Sequence, residues 1–248
     1  MPRRPFDLIG FDADDTLWHN ERSYRDGRER FRRLLAAAGV ELSEEEVEAR
    51  VNQTELANLE HYGYGVSSFV LSLIETAIDL TGGRLAGGDI RELIELAKHM
   101  LTEDVELFAG AREAVSMLAQ AYPLILVTKG DLLHQTSKLE RSGLKAHFTF
   151  VEVVSRKTPP VYAAILERHH VEPERFLMVG NSLKSDVLPV IDVGGWAVHV
   201  PAALSWSHEH ADVPPGANDR YFEIQGLDAL TKLVETLEDS ARASTLRT

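Results

Sequence analysis

The segment Leu8-Ile9-Gly10-Phe11-Asp12-Ala13-Asp14-Asp15 decides the fold. It begins as a short apolar run, which is typical of a buried β-strand, and then places three carboxylates within four positions. In an open parallel sheet, ligands bind at the carboxyl ends of the strands, so these carboxylates are predicted to line that crevice. Their repulsion must be relieved by a proton or a cation, and Mg²⁺ with oxygen ligands is the simplest relief. The alternative is an Asp-rich turn without a function, because aspartate also favours turns.

The bulk composition is that of an ordinary globular protein, with 248 residues, 44% apolar and 26% charged. No apolar run approaches the roughly 20 residues that span a bilayer, and the N-terminal segment lacks the apolar stretch of a secretory signal, so we expect a cytoplasmic protein with no membrane partner. A formal net charge of −13 argues against nucleic acid as a partner. The absence of cysteine excludes disulfides, thiolate nucleophiles and cysteine-based zinc sites.

A helical module is predicted to follow the first strand. Between residues 19 and 104, apolar residues recur at helical spacing and no convincing strand pattern occurs. Ser43 and Glu46 form a capping box, and glycines such as Gly63 and Gly65 mark turns between helices. We therefore predict a core domain of residues 1–18 and 105–248 and an all-helical cap domain of residues 19–104.

Beyond Phe108, candidate strands alternate with helices. The strand candidates are Pro123–Val127, Phe148–Val154, Phe176–Val179 and Trp196–Val200. Since single helices separate them, right-handed crossovers are expected, and with them a three-layer, Rossmann-like α/β core with a parallel sheet. Residues 203–220 are predicted to form an irregular loop, and Leu227–Leu237 the last helix.

The later strand candidates end in polar groups that suit phosphate chemistry. These groups are Thr128, Lys129 and Gly130 after the second strand, Lys157 after the third, and Asn181 with Asp186 after the fourth. A hydroxyl and backbone amides at the start of a helix favour an anion, and a lysine adds positive charge. Each group alone has an ordinary explanation as a helix cap or a solvated charge. Their repetition at successive strand ends predicts one common site.

The acidic segment after the first strand and the three polar segments after the later strands make four. In the same order, these four segments resemble the four motifs of the haloacid dehalogenase superfamily. The resemblance extends from about Phe6 to Val200 and includes a helical cap inserted after the first motif. It implies a Mg²⁺-dependent phosphatase that forms an aspartyl phosphate, with Asp12 as the nucleophile and Asp14 as the general acid and base. By the same resemblance, Thr16 supports the loop that carries them.

The resemblance also implies which residues form the site. The implied catalytic residues are Asp12, Asp14, Thr128 and Lys157, and the implied substrate-binding residues are Thr128, Lys129, Gly130 and Lys157. The implied metal ligands are Asp12, Asp14 through its backbone carbonyl, Asn181 and Asp186. Two positions depart from the family pattern. Asn181 stands where aspartate is common, so either its amide or Asp186 coordinates the metal. Lys129 stands where asparagine is common, and its side chain points either to the phosphate or to solvent.

Several activities are compatible with this fold. Asp14 favours phosphoryl transfer over carbon–halogen cleavage, because the dehalogenases that the family is named for replace this second acid. A phosphonatase is disfavoured, since the cap supplies only Lys98, near its end, as an amine. We predict hydrolysis of a phosphomonoester of a small soluble metabolite. A non-catalytic phospho-ligand-binding protein is the main alternative, and a phosphotransferase whose cap excludes water is another.

Overall fold

The structure is a computed structural model that describes residues 4–202 and 219–245. The predicted irregular loop over residues 203–220 therefore lies, except for its last two residues, outside the described residues. No helix among the described residues is both long and apolar enough to cross a membrane.

The chain divides into two compact units. The core unit comprises Met1–Glu21, Val105–Thr128 and Gln135–Thr248, and the helical unit comprises Arg22–Asp104 with Lys129–His134. Compared with the predicted division, the first boundary lies after Glu21, and the short loop after the second strand groups with the helical unit.

The core unit is built on a six-stranded sheet. Its strands are β1 (Leu8–Phe11), β2 (Leu124–Lys129), β3 (Phe150–Val154), β4 (Phe176–Gly180), β5 (Trp196–His199) and β6 (Tyr221–Glu223). Their order is β3-β2-β1-β4-β5-β6, and β1 pairs in parallel with both β2 and β4. The pairs β4 with β5 and β5 with β6 are also parallel. The predicted parallel α/β fold is confirmed, and β6 was not predicted.

Helices cover both faces of the sheet. The helices of the core unit after the insertion are α5 (Ala111–Ala119), α6 (Leu132–Arg141), α7 (Pro159–Arg168), α8 (Leu188–Asp192) and α9 (Leu230–Thr245). Ile9 of β1 belongs to one apolar cluster, together with Ala114 of α5 and Leu230 of α9. Its neighbour Leu8 belongs to a second cluster, together with Ile165 of α7. Because successive residues of a strand face opposite sides, this alternation produces the three layers.

The helical unit has its own apolar core. Its helices are α1 (Glu21–Ala37), α2 (Glu44–Tyr62), α3 (Val66–Leu80) and α4 (Gly87–Thr102). Phe31, Val51 and Leu73 are among its buried residues. The predicted capping box is confirmed: the Glu46 amide donates to Ser43 Oγ at 3.2 Å, and the Ser43 amide donates to a Glu46 carboxylate oxygen at 2.8 Å. This arrangement satisfies amides that the first turn of α2 leaves without helical partners.

Within the core unit, the segments on either side of the helical insertion are hydrogen-bonded to each other. The His19 amide donates to the Glu106 carbonyl at 3.0 Å, and the Phe108 amide donates to the Leu17 carbonyl at 2.9 Å. The His19 and Phe108 rings have centroids 3.8 Å apart. The chain thus leaves β1 and returns to α5 through a short antiparallel pair.

Candidate active site

The first and fourth motifs meet at the carboxyl end of the sheet. Phe11 pairs with Val179, and the amide of Asp12 donates to the Val179 carbonyl at 2.9 Å. β1 lies at the centre of the sheet order, where its end is flanked by the ends of β2 and β4. The acidic segment therefore begins in the crevice that parallel sheets use for ligands.

Asp12, Lys157 and Asp186 form one buried cluster. Lys157 Nζ lies 2.5 Å from Asp12 Oδ1 and 2.6 Å from Asp186 Oδ1. The side chains of Lys157 and Asp186 are each only 1% exposed, so water contributes little to their solvation. The structure thus brings together residues that the sequence places after three different strands.

Thr16 connects Asp12 to Asn181. Its hydroxyl donates to Asp12 Oδ2 at 2.7 Å and accepts from the Asn181 amide at 3.0 Å. The Asn181 side-chain oxygen lies 3.3 Å from the same hydroxyl, which places it beside Asp12. Thr16 therefore connects the first motif to the fourth through its hydroxyl.

Gly180 and the turn after it fix the position of the Asp186 carboxylate. A Cβ atom at Gly180 would lie 2.4 Å from Asp186 Cγ, so only glycine leaves room for this carboxylate. The Ser182 amide donates to Asp186 Oδ2 at 3.0 Å. Residues Leu183–Val187 form one turn of π-helix, a feature that is frequent at functional sites.

The electrostatics of the cluster are governed by burial. Burial raises the pKa of Asp12 above its ordinary value; Lys157 opposes this rise and the charge of Asp186 adds to it. Burial alone would lower the pKa of Lys157, but the carboxylates of Asp12 and Asp186 outweigh it and hold that pKa above its ordinary range. One ammonium thus serves two buried carboxylates.

The oxygen atoms of the predicted metal ligands fit Mg²⁺. The described residues contain no group of three or more His, Cys, Asp or Glu side chains that could hold a metal ion. The predicted metal ligands are not such a group, because they include the side-chain oxygen of Asn181 and the backbone carbonyl of Asp14 in addition to the carboxylates of Asp12 and Asp186. All of these donors are oxygens, which Mg²⁺ prefers. Asp12 and Asp186 share a single ammonium, so a further cation would compensate the negative charge that remains.

Asp14 occupies an environment of its own. Its Oδ1 accepts from Trp18 Nε1 at 2.7 Å and from Lys138 Nζ, and its Oδ2 accepts from Gln135 Nε2 at 2.7 Å. Burial alone would raise the pKa of Asp14, but the Lys138 ammonium and the hydrogen bonds outweigh this effect. The pKa of Asp14 therefore lies below its ordinary value. Sequence reasoning missed Lys138 and Gln135, because they lie inside a helix rather than at a strand end.

Asp15, the third carboxylate of the segment, has a structural position. It accepts hydrogen bonds from the amides of Asn20 at 3.0 Å and Glu21 at 3.1 Å, at the start of α1. Its φ of 58° is a left-handed conformation that aspartate tolerates better than most residues. Burial raises the pKa of Asp15 to about 6, although the two amide donors oppose the rise.

The second motif is divided between the two units. Thr128 is buried at the end of β2 and belongs to the core unit, whereas Lys129 and Gly130 belong to the helical unit. Lys129 Nζ lies 4.5 Å from the centroid of the Tyr64 ring, so its side chain packs on an aromatic face. Gly130 has a φ of 128°, a conformation that favours glycine.

His199 is a further polar residue beside the fourth motif. Its Nε2 lies 3.0 Å from the Asn181 carbonyl oxygen, and its Nδ1 lies 3.1 Å from Glu223 Oε2. Sequence reasoning missed it, although it ends β5. The rule that selected polar residues at the ends of the other strands would have found it.

Comparison with known proteins gives concordant results. Residues 6–194 match the family model of haloacid dehalogenase-like hydrolases. The chain is 38% identical to a haloacid dehalogenase-like family hydrolase from Xanthomonas campestris, with a TM-score of 0.85 over 97% of this chain and 95% of that one. It is 24% identical over 211 residues to a glyceraldehyde 3-phosphate phosphatase from Methanothermobacter thermautotrophicus, covering 79% of this chain and 86% of the relative. The magnesium-bound HAD-hydrolase YfnB from Bacillus subtilis shares the fold, with 20% identity and a TM-score of 0.65 over 94% of this chain and all of that one.

Proposed function

We propose a reaction for this chain from the premise that it belongs to the haloacid dehalogenase-like hydrolase family. In this proposal, the protein is a cytoplasmic Mg²⁺-dependent phosphomonoesterase that hydrolyses a small phosphorylated metabolite through an aspartyl phosphate. The observation that carries the proposal is the buried contact of Asp12 with Lys157, at 2.5 Å. A carboxylate held beside an ammonium at the carboxyl end of a parallel sheet is placed to attack an anionic substrate.

Asp12 is the nucleophile. In the first half of the reaction a carboxylate oxygen of Asp12 attacks phosphorus, and the bond between phosphorus and the ester oxygen breaks. Lys157 lowers the repulsion between Asp12 and the incoming phosphate, because its ammonium is 2.5 Å from Oδ1. Thr16 holds the other carboxylate oxygen through its hydroxyl, which fixes the orientation of Asp12.

Asp14 is the general acid and base. Its protonated carboxyl gives a proton to the departing alkoxide, and in the second half the carboxylate takes a proton from the water that attacks phosphorus and frees Asp12, which restores the protonated form. The negative charge of the bound phosphate favours this protonated form, and the Lys138 ammonium opposes it. Oδ1 accepts hydrogen bonds from Trp18 and Lys138, and Oδ2 accepts one from Gln135. Oδ2 therefore has more lone-pair capacity left for a transferred proton.

The remaining substrate contacts belong to the second motif. Thr128 supplies a hydroxyl, and the backbone amides of Lys129 and Gly130 supply donors for the phosphate oxygens, close to the start of α6. The Lys129 side chain adds positive charge near the same loop. Residues 19–104 form the cap domain, which selects the substrate.

Mg²⁺ would be held by Asp12, Asn181, Asp186 and the backbone carbonyl of Asp14. When bound, it neutralises the anionic charge that the phosphate and the two carboxylates bring together. Asn181 supplies a neutral oxygen, so the Asp186 carboxylate contributes more of the negative charge.

The named relative supports a proposal for the substrate class. A glyceraldehyde 3-phosphate phosphatase resembles this chain over most of both lengths. Small phosphomonoesters of three-carbon compounds are therefore the first candidates, ahead of nucleoside monophosphates and the phosphates of larger sugars.

A phosphometabolite screen tests the proposal. We expect release of inorganic phosphate with Mg²⁺, loss of release with EDTA, and no release by the Asp12→Asn variant. Phosphate binding without turnover would overturn the proposal in favour of a non-catalytic binding protein. Phosphorylation of an added alcohol in place of water would identify a transferase, and halide release from a 2-haloacid would identify a dehalogenase.

A further inference from the structure

The carboxylate of Asp14 is held by side chains that no motif of the sequence includes. Gln135 and Lys138 both project from α6, at i and i+3, which places them on one face of that helix. Gln135 donates to Oδ2 at 2.7 Å, and Lys138 donates to Oδ1. Both residues are nearly buried, with 4% and 6% of their surface exposed, although glutamine and lysine are ordinarily exposed residues.

Lys138 is itself held in a fixed position. Its Nζ donates to Asn20 Oδ1 at 2.8 Å and lies 5.9 Å from the centroid of the Trp18 ring. Trp18 in turn donates from Nε1 to Asp14 Oδ1 at 2.7 Å. The ammonium, the indole and the carboxylate therefore fix one another.

The contrast with Asp15 shows that this arrangement is specific to one carboxylate. Asp15 is the next residue, and its carboxylate accepts hydrogen bonds from the backbone amides of Asn20 and Glu21. Asp14 instead contacts the buried ammonium of Lys138. Burying an ammonium costs free energy, and the ion pair with Asp14 offsets this cost only if its geometry is good. A buried ion pair is a poor source of stability but a good way to fix an orientation.

We propose that Lys138 is a positioning residue that fixes the orientation of the Asp14 carboxylate, with Gln135 in a supporting role. This inference rests on the proposed function, because orientation matters only if Asp14 transfers protons. The α6 helix starts directly after the loop that follows β2. Gln135 and Lys138 lie in the part of α6 that belongs to the core unit, as Asp14 does.

Lys138→Met tests the inference. We expect kcat to fall by about 10- to 100-fold, the range seen when an outer residue that orients an active group is removed, with KM changed by less than about threefold. The matched control is Lys145→Met, because Lys145 pairs with Glu140 at the surface, with both side chains more than half exposed. This control is expected to keep the activity of the wild type.

A double-mutant cycle separates positioning from a general structural effect. If Lys138 acts through Asp14, then Lys138→Met in an Asp14→Asn background causes no further loss of kcat. An equal loss in both backgrounds, or wild-type kcat in the single variant, overturns the inference. If Lys138→Met does not fold, Gln135→Leu gives the same cycle with a smaller expected loss, and the same outcomes decide.

A crystal structure of the Lys138→Met variant provides a readout that does not need activity. We expect the Asp14 carboxylate to leave its position beside Trp18 and Gln135. An unchanged carboxylate overturns the inference even if the wild type proves inactive. An inactive wild type whose Asp14 moves in the variant would instead count against the proposed function alone.

Discussion

Lys157 donates a hydrogen bond from Nζ to Asp12 Oδ1 at 2.5 Å, although 145 residues of sequence separate the two. Lys157 follows β3, Asp12 follows β1, and β2 lies between these strands in the sheet. The side chain must therefore reach across about two strand spacings, roughly 10 Å. Lysine suits this position because its long, flexible stem ends in a compact charge.

Lys157→Met should abolish most of the activity and lower the stability. Removing the ammonium leaves Asp12 and Asp186 buried without their shared partner. Breaking a buried ion pair in this way costs about 3–5 kcal/mol, and we expect that loss in the free energy of unfolding measured by urea denaturation without divalent cations. We expect kcat to fall by at least about 10³-fold.

Lys145→Met serves as the control for this loss. Its pair with Glu140 is exposed, so the expected change in the free energy of unfolding is within about 1 kcal/mol. A Lys157→Met variant with wild-type stability would contradict the view that the ammonium neutralises buried charge.

Asp12→Asn should remove the activity without weakening the fold. The substitution keeps the shape of the side chain and removes one of two carboxylates that compete for Lys157. Burial already raises the pKa of Asp12, so replacing the charge with a neutral amide is expected to leave the free energy of unfolding equal or higher. Thermal unfolding measures the stability, and mass spectrometry of acid-quenched protein detects the phosphorylated wild type. Full activity in the variant would exclude the covalent mechanism.

Much of the fold could be predicted because the central strands are buried on both faces. Such strands are continuous apolar runs, and Leu124–Lys129 and Phe176–Gly180 show this pattern. β6 was missed because Tyr221–Glu223 has only three residues, too few for a periodic signal. The last helix was predicted to end at Leu237, but α9 continues to Thr245 through residues without an apolar stripe.

The residues of the candidate site could be predicted where a polar side chain comes directly after a strand. Asp12, Lys157 and Asp186 follow three different strands, and parallel pairing brings such ends to one edge of the sheet. Lys138 follows no strand and lies within α6, where a lysine is ordinarily solvated. Apart from the motif resemblance, the residue pattern does not separate Asp14 from Asp15, because only the folded chain decides which carboxylate accepts from the backbone amides at the start of α1.

Gly180→Ala should displace Asp186. The added Cβ would lie 2.4 Å from the Asp186 Cγ and 2.4 Å from its Oδ2, distances that require the carboxylate or the strand to move. Because Asp186 contacts Lys157 and is a proposed metal ligand, we expect a weaker response to Mg²⁺ in thermal unfolding and a kcat lowered by at least about tenfold.

Gly88→Ala is the matched control for this substitution. Gly88 lies in the first turn of α4, and a Cβ there would have no neighbour within 4 Å. We expect the alanine to raise the free energy of unfolding by about 0.5–1 kcal/mol and to leave the activity unchanged. A Gly180→Ala variant that behaved like Gly88→Ala would show that Asp186 is not confined in this way.

Glu55→Gln should change how the stability of the protein depends on pH. Arg28 is shared between Glu55, at 2.5 Å, and Glu48, at 2.8 Å, and the Glu55 side chain is only 12% exposed. Burial raises the pKa of Glu55 from 4.5 to about 7; Arg28 opposes this and the charge of Glu48 adds to it. Between these two pH values the folded state keeps a proton that the unfolded chain has released, so stability falls as pH rises through this range.

Glutamine at this position has no proton to lose. We therefore expect the free energy of unfolding to decrease less in the variant than in the wild type between pH 5 and pH 8, by on the order of 1–3 kcal/mol. Urea denaturation at both pH values measures this difference, and Glu60→Gln, at an exposed position of the same helix, is the control. Parallel pH dependence in the wild type and Glu55→Gln would mean that Arg28 keeps Glu55 ionised throughout, and that its burial has no effect on stability in this range.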